Sequence, residues 1–207
     1  MDKEFIIELL KKIAAVMTEN RDYLISLDSV VGDGDLGLTM SDGFSAAHNA
    51  VKDTDEDDIG KILYSAGKAM STAVPSTMGT LMASGLMNAG KTLKGLTEIG
   101  NYDIVKLFEA YMEGVAQRGK AKTGEKTFLD GMAPAVEAMD KSIKAGDTLS
   151  VAAAKAADAA EAGFKNTATM VAVHGRAATR GEASRTLEDP GAAVAMLLMR
   201  ALNQKGD

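Results

Sequence analysis

The chain contains no cysteine, which excludes disulfides, thiolate metal sites and a cysteine nucleophile. Aromatic residues make up only 4% and the net charge is −6, a poor match to a nucleic-acid surface, which needs a positive field and stacking platforms. No apolar run approaches the roughly 18 residues required to span a membrane, so no membrane partner is expected. The opening MDKEFIIELLKK carries charge on both sides of a short apolar stretch and lacks a small-residue cleavage site. A secretory signal is therefore not expected, and a cytoplasmic address is. Prolines number three, and strand formers never cluster with period two for more than a few residues. What the 207 residues do supply, at 46% hydrophobic and 25% charged, is Ala, Leu and Met in quantity, all good helix formers. The expectation is an all-α chain, residues 1–207 forming one domain.

Helical periodicity bears this out along the sequence. Phe5, Ile6, Leu9, Leu10, Ile13 and Met17 recur at spacings of three and four, with Lys11 and Lys12 on the opposite face. A short second helix carries Tyr23, Leu24 and Leu27, and the pattern then breaks at VVGDGDLG before resuming with Leu38, Met40 and Phe44. The acidic run at 53–58 precedes an amphipathic segment through Met70 and suits the positive end of its dipole. Pro75 ends that helix. Further helices follow with Leu81, Met82 and Leu86, from Asp103 to Arg118, around Met132 to Ile143, and through the alanine-rich VAAAKAADAAEAGF behind a Thr148 or Ser150 cap. The last opens at Asp189-Pro190, an acceptor at the cap and proline at the first helical position. About eight helices joined by short loops predict an antiparallel bundle or barrel.

Chemistry gathers in three loops. Asp28, Asp33 and Asp35 lie close together around three glycines. Carboxylates so near one another repel unless a cation sits between them, and hard oxygen ligands suit Mg²⁺ or Ca²⁺. Turn and helix capping is the alternative reading of the same residues. An EF-hand does not fit: a loop begun at Asp33 would place Leu38 where the glycine is needed and Phe44 where the bidentate glutamate is needed. Anion-binding features recur at Asp189-Pro190-Gly191, a helix start with open amides, at Arg176 and Arg180 just before it, and at Arg118, Lys120 and Lys122 around Gly119. No Walker-A pattern is present. His48 and His174 have no nucleophile beside them in sequence, and the thirteen methionines read as core filler.

The segments GDGDLGLTM, RGKAKTGEKT and GRAATRGEASRTLEDPGA, in this order and spacing, resemble the nucleotide-binding L subunit family of dihydroxyacetone kinase, from about residue 4 to residue 203. The resemblance implies an eight-helix antiparallel up-and-down barrel with ADP or ATP at one rim. It implies that Asp28, Asp33 and Asp35 hold two Mg²⁺ ions, which overrides the capping alternative. It also implies that Leu36, Gly37, Leu38, Thr39, Thr77, Met78, Gly119, Phe128, Arg176, Asp189, Pro190 and Gly191 line the nucleotide site.

Two departures stand out. Leu36 occupies a position where the family usually has histidine, and PSTMG at 75–79 replaces a glycine-rich segment, keeping only Gly79. These bear on adenosine contacts and substrate choice, and a related keto-sugar is an open acceptor. The resemblance further implies a separate K-type subunit that carries the sugar and an M-type phosphoryl-donor subunit in phosphoenolpyruvate-dependent systems. An ADP-sensing regulatory subunit and the nucleotide domain of a fatty-acid-kinase-like system are the competing readings.

Overall fold

The structure, a computed structural model, describes residues 1–204. Among them are nine α-helices: α1 Lys3–Glu19, α2 Arg21–Val31, α3 Leu36–Asn49, α4 Ile59–Ala73, α5 Thr77–Thr92, α6 Asn101–Gly119, α7 Phe128–Lys144, α8 Leu149–Asn166 and α9 Pro190–Asn203. No strand occurs among the described residues, and no helix there is long and apolar enough to cross a membrane. Their starts are chemically marked. Asp2, Asp58, Ser76, Thr127, Thr148 and Asp189 each accept a first-turn amide through the side chain, satisfying donors that have no partner within the helix. Of the two caps open for α8, Thr148 is the one used. Asp58 does double duty, accepting from Lys61 N at 3.1 Å and from Gly95 N at 3.0 Å, so the acidic run stitches two connections together.

Eight helices form a closed ring in the order α1, α3, α4, α5, α6, α7, α8, α9, with α9 returning to α1. The expected eight-helix barrel is present. α2 is a ninth helix that breaks from α1 at Asn20 and packs chiefly on α3. Its short apolar stripe buries Leu24 fully. Most helices have one apolar face, but α9 is sequestered all round from Ala192 to Met199, as an apolar helix must be. The interior is filled by these side chains. A cavity of about 20 Å³ lies among Ile6, Phe44, Leu86, Phe108, Tyr111, Leu198 and other apolar neighbours. Tyr111 spends its hydroxyl on the Met82 sulfur at 3.2 Å, and burial pushes its pKa up.

Close helix approach explains several glycines. A Cβ on Gly60 would lie 2.4 Å from the Gly90 carbonyl oxygen, and one on Gly90 would lie 2.5 Å from that of Gly60. Backbone meets backbone there, so nothing flexible can yield. Gly90→Ala is expected to cost about 1–3 kcal/mol, lowering the melting temperature by roughly 2–12 °C. A thermal melt followed by circular dichroism checks this, and an unchanged midpoint would mean that α4 and α5 are not locked at this crossing.

The up-and-down course sorts the connections between two ends. Met1, Lys3, the 53–58 run and the 93–99 turn meet at one end, through Met1 N to Ile99 O at 2.9 Å and Lys3 to Asp57 at 2.7 Å. The α2–α3, α4–α5, α6–α7 and α8–α9 connections meet at the other.

Candidate functional site

At that second end lies an open cleft of about 770 Å³. Leu36, Thr77, Phe128 and Pro190, the first residues of α3, α5, α7 and α9, all line it. Four helix N-termini therefore face one space. Each brings amides and the positive end of a peptide dipole, the standard setting for an anion.

Asp28, Asp33 and Asp35 stand on one wall. One oxygen of each lies within 4.8 Å of the others, close enough for shared ligation of a cation. Asp28 is half-buried near the end of α2 and organises the loop. Its Oδ2 accepts from Gly34 N at 2.9 Å and from Leu36 N at 3.4 Å. Burial raises its pKa against those two hydrogen bonds, and the neighbouring Asp33 and Asp35 charges raise it further. Gly34 takes φ +75° to complete the turn, and Gly32 leaves room for the Asp28 carboxylate, which a Cβ there would strike at 2.2 Å. Asp35 sits at the cap position of α3, yet its side chain caps nothing. The capping alternative therefore accounts for part of Asp28 and for none of Asp35.

Across the cleft, the Arg176 guanidinium meets Asp33 Oδ2 at 2.5 Å. Both side chains are substantially exposed, which makes the pair weak. Arg176 belongs to the long α8–α9 connection, which contains 3₁₀ turns over Arg176–Ser184 interrupted at Gly181. His174 in the same segment contacts Glu125 Oε2 at 2.6 Å, and that contact holds the Glu125 carboxyl below its ordinary range.

Most of the expected site residues share this cleft: the three aspartates, Leu36, Thr77, Met78, Gly119, Phe128, Arg176, Asp189, Pro190 and Gly191. Gly37, Leu38 and Thr39 are not among its lining residues, because the first turn of α3 rotates them away. Gly37 packs on the Arg21 carbonyl, where a Cβ would come within 2.1 Å, Leu38 is exposed, and Thr39 Oγ1 lies 3.4 Å from Ser76 Oγ. Arg118 lines the cleft, but Arg180, Lys120 and Lys122 do not. Sequence reasoning missed Lys126, which is 2% exposed. Its Nζ donates to the carbonyls of Thr167 at 2.8 Å, Ser184 at 2.7 Å and Met170 at 3.2 Å, and also to that of Leu187. Burial pulls its pKa down, while the Asp189 carboxylate opposes the shift. A signal existed in the GEKT run, a lysine between a glycine turn and a threonine cap, but composition alone reads such a lysine as surface.

Asp189 caps α9, accepting from Ala192 N at 2.7 Å. Burial lifts its pKa to about 7 against that bond, with Asp130 adding to the rise and Lys126 opposing it. A carboxyl whose folded pKa is raised holds its proton longer when folded, so its contribution to stability is lost as pH climbs from about 4 towards 7. Asp189→Asn keeps an efficient cap without the charge. Its melting temperature should therefore gain on the parent as pH rises from about 5 to 8. Melts across that range check this, and parallel curves for the two proteins would contradict it.

The description of the DAK2 domain matches residues 30–204. The chain belongs to the Dak2 family. Over 95% of its length it is 32% identical to the ADP-binding subunit DhaL of the PEP-dependent dihydroxyacetone kinase of Escherichia coli K12, covering 94% of that protein. That makes it a homologue of kinase subunits. It is also 32% identical, over 96% of its length, to an L-erythrulose 1-kinase of Mycolicibacterium smegmatis, of which it spans 35%. In fold it matches the dihydroxyacetone kinase of C. freundii crystallised with AMP-PNP and Mg²⁺, with a TM-score of 0.73 at 19% identity, covering 97% of this chain and 33% of that one.

Proposed function

We propose that residues 1–207 act as one unit, the ADP- or ATP-binding subunit of a dihydroxyacetone-kinase-type phosphotransferase. The observation that carries the proposal is the convergence of four helix N-termini and three ligand-spaced carboxylates on a single cleft. Asp28, Asp33 and Asp35 would hold two Mg²⁺ ions. Their chemistry fits: hard oxygen donors, one of them uncapped and two of them exposed. When bound, Mg²⁺ would offset phosphate charge and fix the orientation of the phosphates.

The chain's own groups do the rest. The α9 start offers the Gly191 amide, with Asp189 as cap and Pro190 fixing the first turn, and the α5 start offers those of Thr77 and Met78 to phosphate oxygens. Leu36, Gly119 and Phe128 give the adenosine an apolar bed, and Gly37, Leu38 and Thr39 hold the α3 turn behind it. Arg176 presents a guanidinium that can exchange Asp33 for a phosphoryl oxygen. In this reading the acceptor is dihydroxyacetone or a related keto-sugar, and the relatives include a dihydroxyacetone kinase subunit and an erythrulose kinase. The cleft is lined by carboxylates, helix starts, Arg118, Arg176, Lys126 and His174; in this reading none of these holds the sugar, and the acceptor is presented by a separate K-type subunit over the rim. An M-type subunit would renew the phosphoryl group from phosphoenolpyruvate, in a cytoplasmic setting.

The test follows sugar phosphate formed by the purified chain with Mg²⁺, ATP and dihydroxyacetone, with and without a K-type subunit. Turnover is expected only in the mixture. Equal turnover by the isolated chain would place the acceptor site within these residues and end the subunit reading.

A further inference from the structure

We propose that Lys126 is a positioning residue for nucleotide binding: its ammonium fastens both ends of the α8–α9 connection and so holds Arg176 and the α9 start at the cleft. The proposal rests on the nucleotide reading above. On the α8 side, Lys126 Nζ donates to Thr167 O and Met170 O. On the α9 side it donates to Ser184 O and Leu187 O, with Arg185 O at 3.5 Å. Carbonyls from the two limbs of one loop thus converge on a single buried charge. Thr167 O and Ser184 O also accept the amides of Met170 and Leu187, but without a cation the negative ends of all these carbonyls would face one another and Met170 O and Leu187 O would lose their donor.

Three further observations point to a clamp. Lys126 has φ +60°, a left-handed backbone that glycine adopts freely and lysine only at a cost, so the position favours glycine unless the side chain is needed. Glu125, the preceding residue, holds the tip of the same segment, with its carbonyl accepting from Val173 N at 3.3 Å and its carboxylate contacting His174. Thr167, whose carbonyl is bound, uses its hydroxyl to accept from Asp189 N at 2.9 Å, which ties the clamp directly to the α9 cap. The residues between the two limbs include Arg176; the limbs also meet directly through Ala172 N to Ser184 Oγ at 2.9 Å and Arg185 Nη1 to Thr169 O at 2.7 Å, whereas Lys126 reaches both limbs from the α6–α7 connection.

The absence of cysteine permits a direct test. Lys126→Cys is alkylated in denaturant with bromoethylamine, which restores an ammonium at nearly the same reach, or with bromopropane, which gives a neutral group of the same shape, and is then refolded. The aminoethyl protein should match the parent in Mg²⁺–ADP affinity by calorimetry and in resistance to an arginine-specific protease at Arg176, Arg180 and Arg185. The propyl protein should keep its far-UV spectrum while losing affinity and gaining cleavage at those arginines, each on the order of tenfold or more.

Lys126→Gln, expressed directly, should behave as the propyl protein does and requires no refolding. Equal affinity and equal protection in the charged and neutral forms would overturn the proposal. So would loss of the helical spectrum in Lys126→Gln, since Lys126 would then be a requirement of the barrel rather than of the rim. A parent protein that fails to bind Mg²⁺–ADP, while the protease pattern still separates charged from neutral forms, would instead sink the nucleotide reading and leave the clamp standing.

Discussion

Asp35→Asn is expected to weaken Mg²⁺–ADP binding by on the order of 100-fold, because it removes a charged ligand while keeping its shape. A hydrogen bond to a charged group is worth about 1.5–3 kcal/mol, and a ligand bond to a divalent ion is at least comparable. Each 1.4 kcal/mol or so is tenfold in affinity. Stability should scarcely change, with the melting temperature staying within about 2 °C. The Asp35 side chain caps no amide and sits within 4.8 Å of two other carboxylates, so losing its charge relieves repulsion rather than breaking a bond. Calorimetry and a thermal melt read the two halves separately. Undiminished affinity would remove Asp35 from the metal site, and a large loss of stability would return it to a capping role.

Saturating Mg²⁺–ADP should raise the melting temperature of the parent by roughly 8–16 °C. A ligand at about 1,000 times its dissociation constant adds about 4 kcal/mol to the folded state, and a domain of this size gains about 2–4 °C per kcal/mol. ADP in EDTA should give little of this, because three clustered carboxylates repel phosphate when no cation lies between them. A shift of the same size in EDTA would show that the helix starts alone bind the nucleotide and that the aspartates serve another purpose.

How far the sequence foretold the molecule depends on whether the relevant physics was local. The stripe from Ile6 to Met17, the Asp189-Pro190 start of α9 and the glycine-broken carboxylate loop are all short-range patterns, and all are found where expected. The ring closure between α9 and α1 was legible only through resemblance, since nothing in either helix names its partner. Side-chain direction within a turn was not legible either. Gly37, Leu38 and Thr39 follow Leu36 immediately, yet a helical turn sends each to a different neighbour. Lys126 was hidden for a related reason, because its partners lie 41 to 61 residues away in sequence and are backbone carbonyls, which carry no residue identity. Among the basic loop residues, Arg118 and Arg176 line the cleft whereas Arg180 and Lys122 do not, a distinction set by loop path and not by charge.

Met1 is anchored to Ile99 at the end of the barrel remote from the cleft, so a polypeptide tether attached there would leave the rim open to a docking protein. A fused arrangement and a two-chain arrangement could then present the same face to the same partner. The tether would change only how often the partner arrives, through its effective concentration. The chain covers 94% of the E. coli subunit and 35% of the longer mycobacterial erythrulose kinase.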